Sequence, residues 1–313
     1  MLNIQSSIRN KYPLIFLFGP TGVGKTALLE NFFHDNYSII NADSIQIFRH
    51  LNIGSAKPDE AMLSRIPHYL VNIREPHESF SVGDFVHLSD DALVDIRAHN
   101  RIPIVCGGTA YYFKHFYYGL PVSPKSSTEV RLLIARKVEE KSLAWAYEEL
   151  QRIDPLSATK IHPSDSYRVT RALEVYETSG KPLSSYQVPS VPRTGLHPLI
   201  IGLHRDKKEL HERIEERVDM MFKAGLMDEI EALLQMGATA SWPGMQGIGY
   251  REYFTLKENN SFSIPLMRDM IISNSQKYAK RQMTFFRSIE GVNWVHPDDT
   301  SRIEELLNTY YFV

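Results

Sequence analysis

The chain has 313 residues, 43% hydrophobic and 23% charged, with a formal net charge of −2. That suits one large or two small globular domains with a real core, and it excludes a globally basic polyanion binder, so any nucleic-acid partner must meet a local basic face. The single cysteine, Cys106, excludes an internal disulfide and fits a reducing cytoplasm; it lies in an apolar run and reads as buried and inert. No secretory signal is visible and no apolar stretch approaches spanning length, so no membrane partner is expected.

The first predicted element is an apolar run over 14–18, short enough for a buried parallel strand. Gly19, Pro20, Thr21, Gly22, Val23, Gly24, Lys25 and Thr26 follow with the Walker A spacing G-x4-G-K-S/T, and 27–33 reads as a helix. Glycines let backbone N–H groups turn inward around a phosphate, and the helix N-terminus adds a positive dipole end. Lys25 supplies a mobile charge, and the Thr26 hydroxyl can ligate Mg²⁺ beside a diphosphate. The loop therefore predicts a bound di- or triphosphate, as in nucleotide-binding, ATP-binding loops.

Further strands are predicted over 37–41, ending at Asp43, over 69–73, and over 102–106, ending at Gly107-Gly108-Thr109; 85–98 reads as a helix. The alternation predicts an α/β fold, a P-loop-type parallel sheet flanked by helices, with ligands at the carboxyl ends of the strands. From about Leu120 the texture changes. Helices over 128–140, 143–152 and 166–179 and a Pro- and Ser-rich stretch over 184–198 read as a helical insertion domain, 121–197, between core segments 1–120 and 198–313. A strand is expected over 197–203, one long amphipathic helix over 207–236, a Gly-rich turn over 244–251, a helix over 267–287 and a last strand over 292–295.

Asp43 can serve as general base or Mg²⁺ ligand, or only as the N-cap of the next segment. The strand 102–106 carries no acid at its tip, so a Walker B carboxylate is missing and an ATP-driven motor or switch is disfavoured. Gly107-Gly108-Thr109 is either a tight turn or a close approach to a ligand. Arg213 and Arg217, four apart, share a helix face that is either solvated or a clamp on phosphate oxygens. Lys277, Lys280, Arg281 and Arg287 share a face, and Gln282, Thr284, Phe285 and Phe286 interleave amide, hydroxyl and rings with them, a mix suited to RNA phosphates and stacked bases.

These residues, with Asp43-Ser44-Ile45-Gln46-Ile47-Phe48-Arg49, Gly54-Ser55-Ala56-Lys57-Pro58, Ser81-Val82-Gly83-Asp84-Phe85, Asp165 to Arg168 with Arg171-Ala172-Leu173-Glu174, and Ile248-Gly249-Tyr250-Arg251, occur in an order that resembles the bacterial tRNA dimethylallyltransferase (tRNA isopentenyltransferase) family. The resemblance runs from Gly19 to Arg287. Departures are Ala110-Tyr111-Tyr112 where the family has Gly-Leu-Tyr, Phe285 where it has Trp, and Pro67-His68-Tyr69-Leu70 where it has His-His-Leu.

The resemblance implies transfer of a dimethylallyl group from dimethylallyl diphosphate to the exocyclic N6 of the adenosine 3′-adjacent to the anticodon of tRNA; a cytoplasmic monomer is expected. It implies that Asp43 takes the amine proton, with Thr109 beside it, and that Lys25, Arg217, the loop amides and Mg²⁺ on Thr26 hold the leaving diphosphate. It further implies that Asp43, Ser44, Ile45, Gln46, Thr109, Asp165, Arg168, Gly249, Tyr250, Lys280, Arg281, Gln282, Thr284 and Arg287 meet the tRNA, with the insertion clasping the anticodon stem. A P-loop small-molecule kinase, a transferase acting on free adenine nucleotides and a non-enzymatic RNA-binding protein are the alternatives.

Overall fold

Four apolar residues in a row, Ile15–Phe18, form β1, which is fully buried because it is covered on both faces. The computed structural model describes residues 12–33, 35–121, 123–186 and 189–312. After β1 come α1 (Lys25–Phe32), β2 (Tyr37–Asn41), α2 (Glu60–Arg65), β3 (His68–Tyr69), α3 (Val82–Ala98), β4 (Ile102–Gly107) and α4 (Ala110–Tyr118). Helices α5 (Thr128–Lys141), α6 (Leu143–Ile153), α7 (Pro155–Ala158) and α8 (Ser166–Ser179) follow. The chain closes with β5 (Leu199–Leu203), α9 (Lys207–Lys223), α10 (Leu226–Gln235), α11 (Arg251–Glu258), α12 (Ile264–Phe286), β6 (Asn293–Val295) and α13 (Thr300–Phe312).

The six strands lie in the order β3-β2-β4-β1-β5-β6, every pair parallel. The phosphate loop after β1, Asp43 after β2 and Thr109 after β4 therefore share the carboxyl edge of one sheet. Helix α12 is pinned to β1 by Phe286, whose ring stacks on Phe18 at 4.2 Å. Phe286 is thus core, and the expectation that it offers a ring to RNA is corrected. Ile303, Leu307 and Tyr311 of α13, a helix not expected from the sequence, join the core on the same sheet.

Three predicted elements differ. The strand 69–73 shrinks to His68–Tyr69 because Leu70 and Asn72 adopt φ of 63° and 56°. Ile73 instead donates its N–H to the Ile47 carbonyl at 2.8 Å, which ties this segment to the run after Asp43. The helix 207–236 is two helices, broken where Gly225 takes φ 95°. Helix α3 starts at Val82, ahead of its apolar pattern, because Ser81 and Asp84 form a capping box.

Tyr118–Arg193 forms a compact unit of its own, separate from the sheet unit. Its core is built by Ile134, Ala146, Leu150, Val169 and Leu173. Buried Asp154 accepts the Ser157 N–H at 3.0 Å and the Ser184 N–H at 2.8 Å, fastening the start of α7 to the segment after α8. The unit ends before residue 197 because the His197 carbonyl is already held by the Tyr310 hydroxyl of α13, at 2.6 Å. Within the Pro- and Ser-rich stretch, residues 187 and 188 lie outside the described residues.

Candidate active site

The phosphate loop is shaped by Gly22 and Gly24 at φ 80° and 110°, values that L side chains rarely adopt. Lys25 curls over it, its Nζ donating to the Gly19 carbonyl at 2.8 Å and the Pro20 carbonyl at 2.9 Å. Burial, opposed by Cys106 and Asp43 and reinforced by the Arg217 charge, brings the Lys25 ammonium down to about 8. Thr26 is exposed at the first turn of α1.

Three arginines hold three successive loop residues from outside. Arg217 Nη1 donates to the Thr21 hydroxyl at 2.6 Å, Arg213 Nε to the Gly22 carbonyl at 2.9 Å and Arg205 Nε to the Val23 carbonyl at 2.9 Å. The C=O and the next N–H of a trans peptide point opposite ways, so drawing the Val23 carbonyl outward turns the Gly24 N–H the other way. The i,i+4 pair Arg213 and Arg217 therefore faces the loop and is not merely solvated. Burial lowers the Arg217 pKa, against the opposing charge of Asp43.

Arg205, at the carboxyl end of β5, carries no motif, and only the strand-end rule could have found it. Its side chain is 5% exposed, and it donates to Asp298 at 2.8 and 3.0 Å, to His296 at 3.3 Å and to Glu209. Glu209, His296 and Asp298 are close enough together to suit a cation, and the Arg205 guanidinium already supplies that charge.

Asp43 forms the cap expected of it locally and keeps its second oxygen free of that turn. Its Oδ1 accepts the Ile45 N–H at 2.9 Å and the Gln46 N–H at 3.4 Å, a cap-like turn. Its Oδ2 lies toward Gly108, 4.0 Å from where a Cβ there would stand. The Thr109 hydroxyl accepts the Ser44 N–H at 3.0 Å. Gly107 is required by packing, since a Cβ would lie 2.2 Å from the Ala42 carbonyl oxygen. Tyr278 of α12 shares hydrogen bonds with the side chains of Thr109 and Gln282, and burial, followed by the charge of Asp43, pushes its hydroxyl up to about 12.

Thr21, Lys25, Thr26, Asp43, Arg217 and Arg281 line one cavity of about 720 Å³. Arg281 stands beside the Tyr278 ring at 5.9 Å. The basic face of α12 is split: Lys277, Lys280, Thr284 and Arg287 line a second cavity, of about 870 Å³. The Thr284 hydroxyl returns to the Lys280 carbonyl at 3.0 Å.

Two residues expected to meet tRNA are held by contacts within the fold, Tyr250 fully buried and Gln282 at the wall of the first cavity. Tyr250 is 0% exposed and donates its hydroxyl to Glu229 at 2.7 Å, while its ring packs so tightly that a Cβ on Gly54 would meet it at 2.5 Å. Gln282 is 4% exposed; its Oε1 accepts the Thr21 N–H at 2.9 Å and its Nε2 donates to the Gly108 carbonyl at 2.7 Å. Gly249, at φ 104°, lies against the Gly54 backbone and donates to Glu252 at 2.8 Å. Ile45 fills the space beside Gly247, and Gln46 Nε2 donates to the Ser55 and Ala56 carbonyls at 3.2 and 3.1 Å. Asp165 and Arg168 stand on the second unit, where Asp165 caps α8 at 3.1 Å and pairs with the Arg168 guanidinium at 3.4 Å.

Residues 46–289 match the model of the IPP transferase family. The tRNA dimethylallyltransferase of Borreliella burgdorferi is 36% identical over 300 residues, covering 96% of this chain and 97% of the relative. That of Acetivibrio thermocellus is 37% identical over 304 residues, covering 96% and 97%. The structure of a full-length tRNA isopentenylpyrophosphate transferase from Bacillus halodurans superposes with a TM-score of 0.66 at 31% identity, covering 96% of this chain and 95% of that one. A eukaryotic dimethylallyltransferase acting on tRNA gives 0.73 at 25% identity, covering 95% and 77%. Similarity over this much of both sequence and fold makes the chain a member of the IPP transferase family.

Proposed function

We propose that the protein transfers a dimethylallyl group from dimethylallyl diphosphate to the N6 amine of the adenosine 3′-adjacent to the anticodon of tRNA, releasing diphosphate. The observation that carries this reading is the single cavity in which a phosphate loop, with Lys25 and Arg217, shares its walls with Asp43. Relatives that are tRNA dimethylallyltransferases support the reaction and its substrates.

The N6–C1 bond forms as the C1–O bond of the donor breaks, and the electron pair leaves on the diphosphate. Lys25, Arg217 and the loop amides neutralise that charge. The adenine amine is a poor nucleophile, and Asp43 Oδ2 accepts its proton as the bond forms. The exposed Thr26 hydroxyl, lining the same cavity, is a hard oxygen donor that fits Mg²⁺ completed by diphosphate oxygens. Bound there, Mg²⁺ would supply further neutralisation of the leaving group. The target base must leave its stack to enter the cavity. The second unit, with Asp165 and Arg168, clasps the anticodon stem. A tRNA substrate and the buried, unpaired Cys106 support a cytoplasmic location.

Incubation with dimethylallyl diphosphate, Mg²⁺ and unmodified tRNA, followed by nucleoside mass analysis, tests this. N6-isopentenyladenosine should appear without consumption of ATP. Unchanged nucleosides, or transfer of a γ-phosphate from ATP, would overturn it.

A further inference from the structure

Tyr278 lines the first cavity together with Asp43, Gly108 and Gln282, and the transfer chemistry above makes no use of it. It lies four residues before Gln282 on α12, so the two share a helix face, while Lys277 and Lys280 open on the other cavity. Its hydroxyl meets two side chains, Thr109 and Gln282, and both lower its pKa, as donors to a phenolic oxygen do. The Gln282 amide is fixed for that role. Its Oε1 accepts the Thr21 N–H and one Nε2 proton goes to the Gly108 carbonyl, which leaves the second Nε2 proton to give. Thr109 is fixed too, since its oxygen accepts the Ser44 N–H at 3.0 Å and its proton goes to Tyr278. A hydroxyl has two lone pairs and one proton. With two donors on its oxygen, Tyr278 gives its own proton to a third group, and the cavity is the space it lines.

We infer that Tyr278 reads the target base, its O–H donating to one of the two ring nitrogens, N1 or N7, that flank the N6 amine held at Asp43. Adenine presents an amine donor with a ring acceptor on either side of it. Asp43 and Tyr278 supply the matching acceptor and donor from one wall of the cavity. Guanine carries the O6 acceptor where adenine has its amine, and the Asp43 carboxylate repels it. A site built to give and take hydrogen bonds rejects a base that leaves its polar groups unpaired. Burial, then the charge of Asp43, keeps the phenol protonated up to about 12, so it is a donor throughout the neutral range. Thr109 and Gln282 are then positioning residues, which act by aiming the Tyr278 proton. The inference rests on the reaction proposed above and adds to it the choice of base.

The test compares kcat/KM of wild type and Tyr278→Phe on tRNA carrying adenosine, 1-deazaadenosine or 7-deazaadenosine at the target position. Relative to adenosine, one of the two analogues should cost wild type about 3–10-fold more than it costs Tyr278→Phe, the worth of one neutral hydrogen bond. The analogue's own reactivity is the same for both enzymes and cancels in that ratio. A tyrosine that only packs would lower all three rates alike when changed. The KM for dimethylallyl diphosphate should stay at the wild-type value. Thr109→Ser should keep the wild-type discrimination and Thr109→Val should lose part of it, a second reading that stands even if Tyr278→Phe does not fold. Equal penalties in wild type and Tyr278→Phe for both analogues would overturn the inference and leave the proposed reaction standing. So would a raised KM for the donor with unchanged discrimination, which would turn the hydroxyl toward the diphosphate. Wild-type protein that prenylates none of the three tRNAs would remove both.

Discussion

The Gln282 side chain accepts the Thr21 N–H at 2.9 Å, joining α12 to the phosphate loop across 261 positions of sequence. Its other end donates to Gly108, so one buried amide spaces the donor loop from the turn that carries Thr109. Gln282→Leu keeps the volume and strands two buried polar groups, which should cost about 1–3 kcal/mol. Thermal unfolding should show the loss, and the KM for dimethylallyl diphosphate should rise as the loop relaxes. An unchanged midpoint with an unchanged KM would show that the amide spaces nothing.

Arg205 holds the Val23 carbonyl and touches none of the groups proposed to react, so on the proposed mechanism it is a positioning residue. Arg205→Ala should raise the KM for the donor several-fold and change kcat little, because the Val23–Gly24 peptide is released while Asp43 is untouched. Arg205→Lys should recover only part of the loss, since an ammonium cannot reproduce the bidentate contact with Asp298. Steady-state kinetics with varied donor checks both. Equal loss of kcat in the two variants would place Arg205 elsewhere in the cycle.

The lowered Lys25 pKa, about 8, gives a pH dependence with a definite sign. Above that value the folded protein loses the charge proposed to hold the diphosphate, so donor affinity should fall as pH rises through 8, and binding at or somewhat above pH 8 should take up protons. Stability moves the other way: between about 8 and the ordinary lysine value the unfolded chain binds the extra proton, so this group's cost to folding is relieved as pH rises. Calorimetric titration of diphosphate in buffers of different ionisation enthalpy measures the uptake. Lys25→Met should abolish it; uptake that persists in that variant would assign it to another group.

The glycine loop and Asp43 were legible in the sequence because each is a local pattern: a spacing, a strand end, an apolar run. The buried strands at 37–41 and 102–106 were legible for the same reason. Arg205 was not, because its role depends on β5 lying beside β1, a fact of sheet order. Gln282 and Tyr250 looked like surface groups because they sit among basic or glycine-rich neighbours; their burial follows from what packs on them, Thr21 and Gly108 for one and Gly54 and Glu229 for the other. The basic face of α12 read as one surface, and only the fold shows that Arg281 and Lys280 open on different cavities.

Asp43→Asn offers the most direct test of the central claim, that one carboxylate across the cavity from the phosphate loop takes the N6 proton. Asparagine keeps an Oδ1 to accept the Ile45 and Gln46 N–H groups, so the turn survives and only the base is removed. Single-turnover prenylation of tRNA should slow by on the order of 10²–10⁴, with the affinities for tRNA and donor within about twofold of wild type. A near-wild-type single-turnover rate, or a normal rate with lost tRNA affinity, would contradict the account and leave Asp43 as a cap alone.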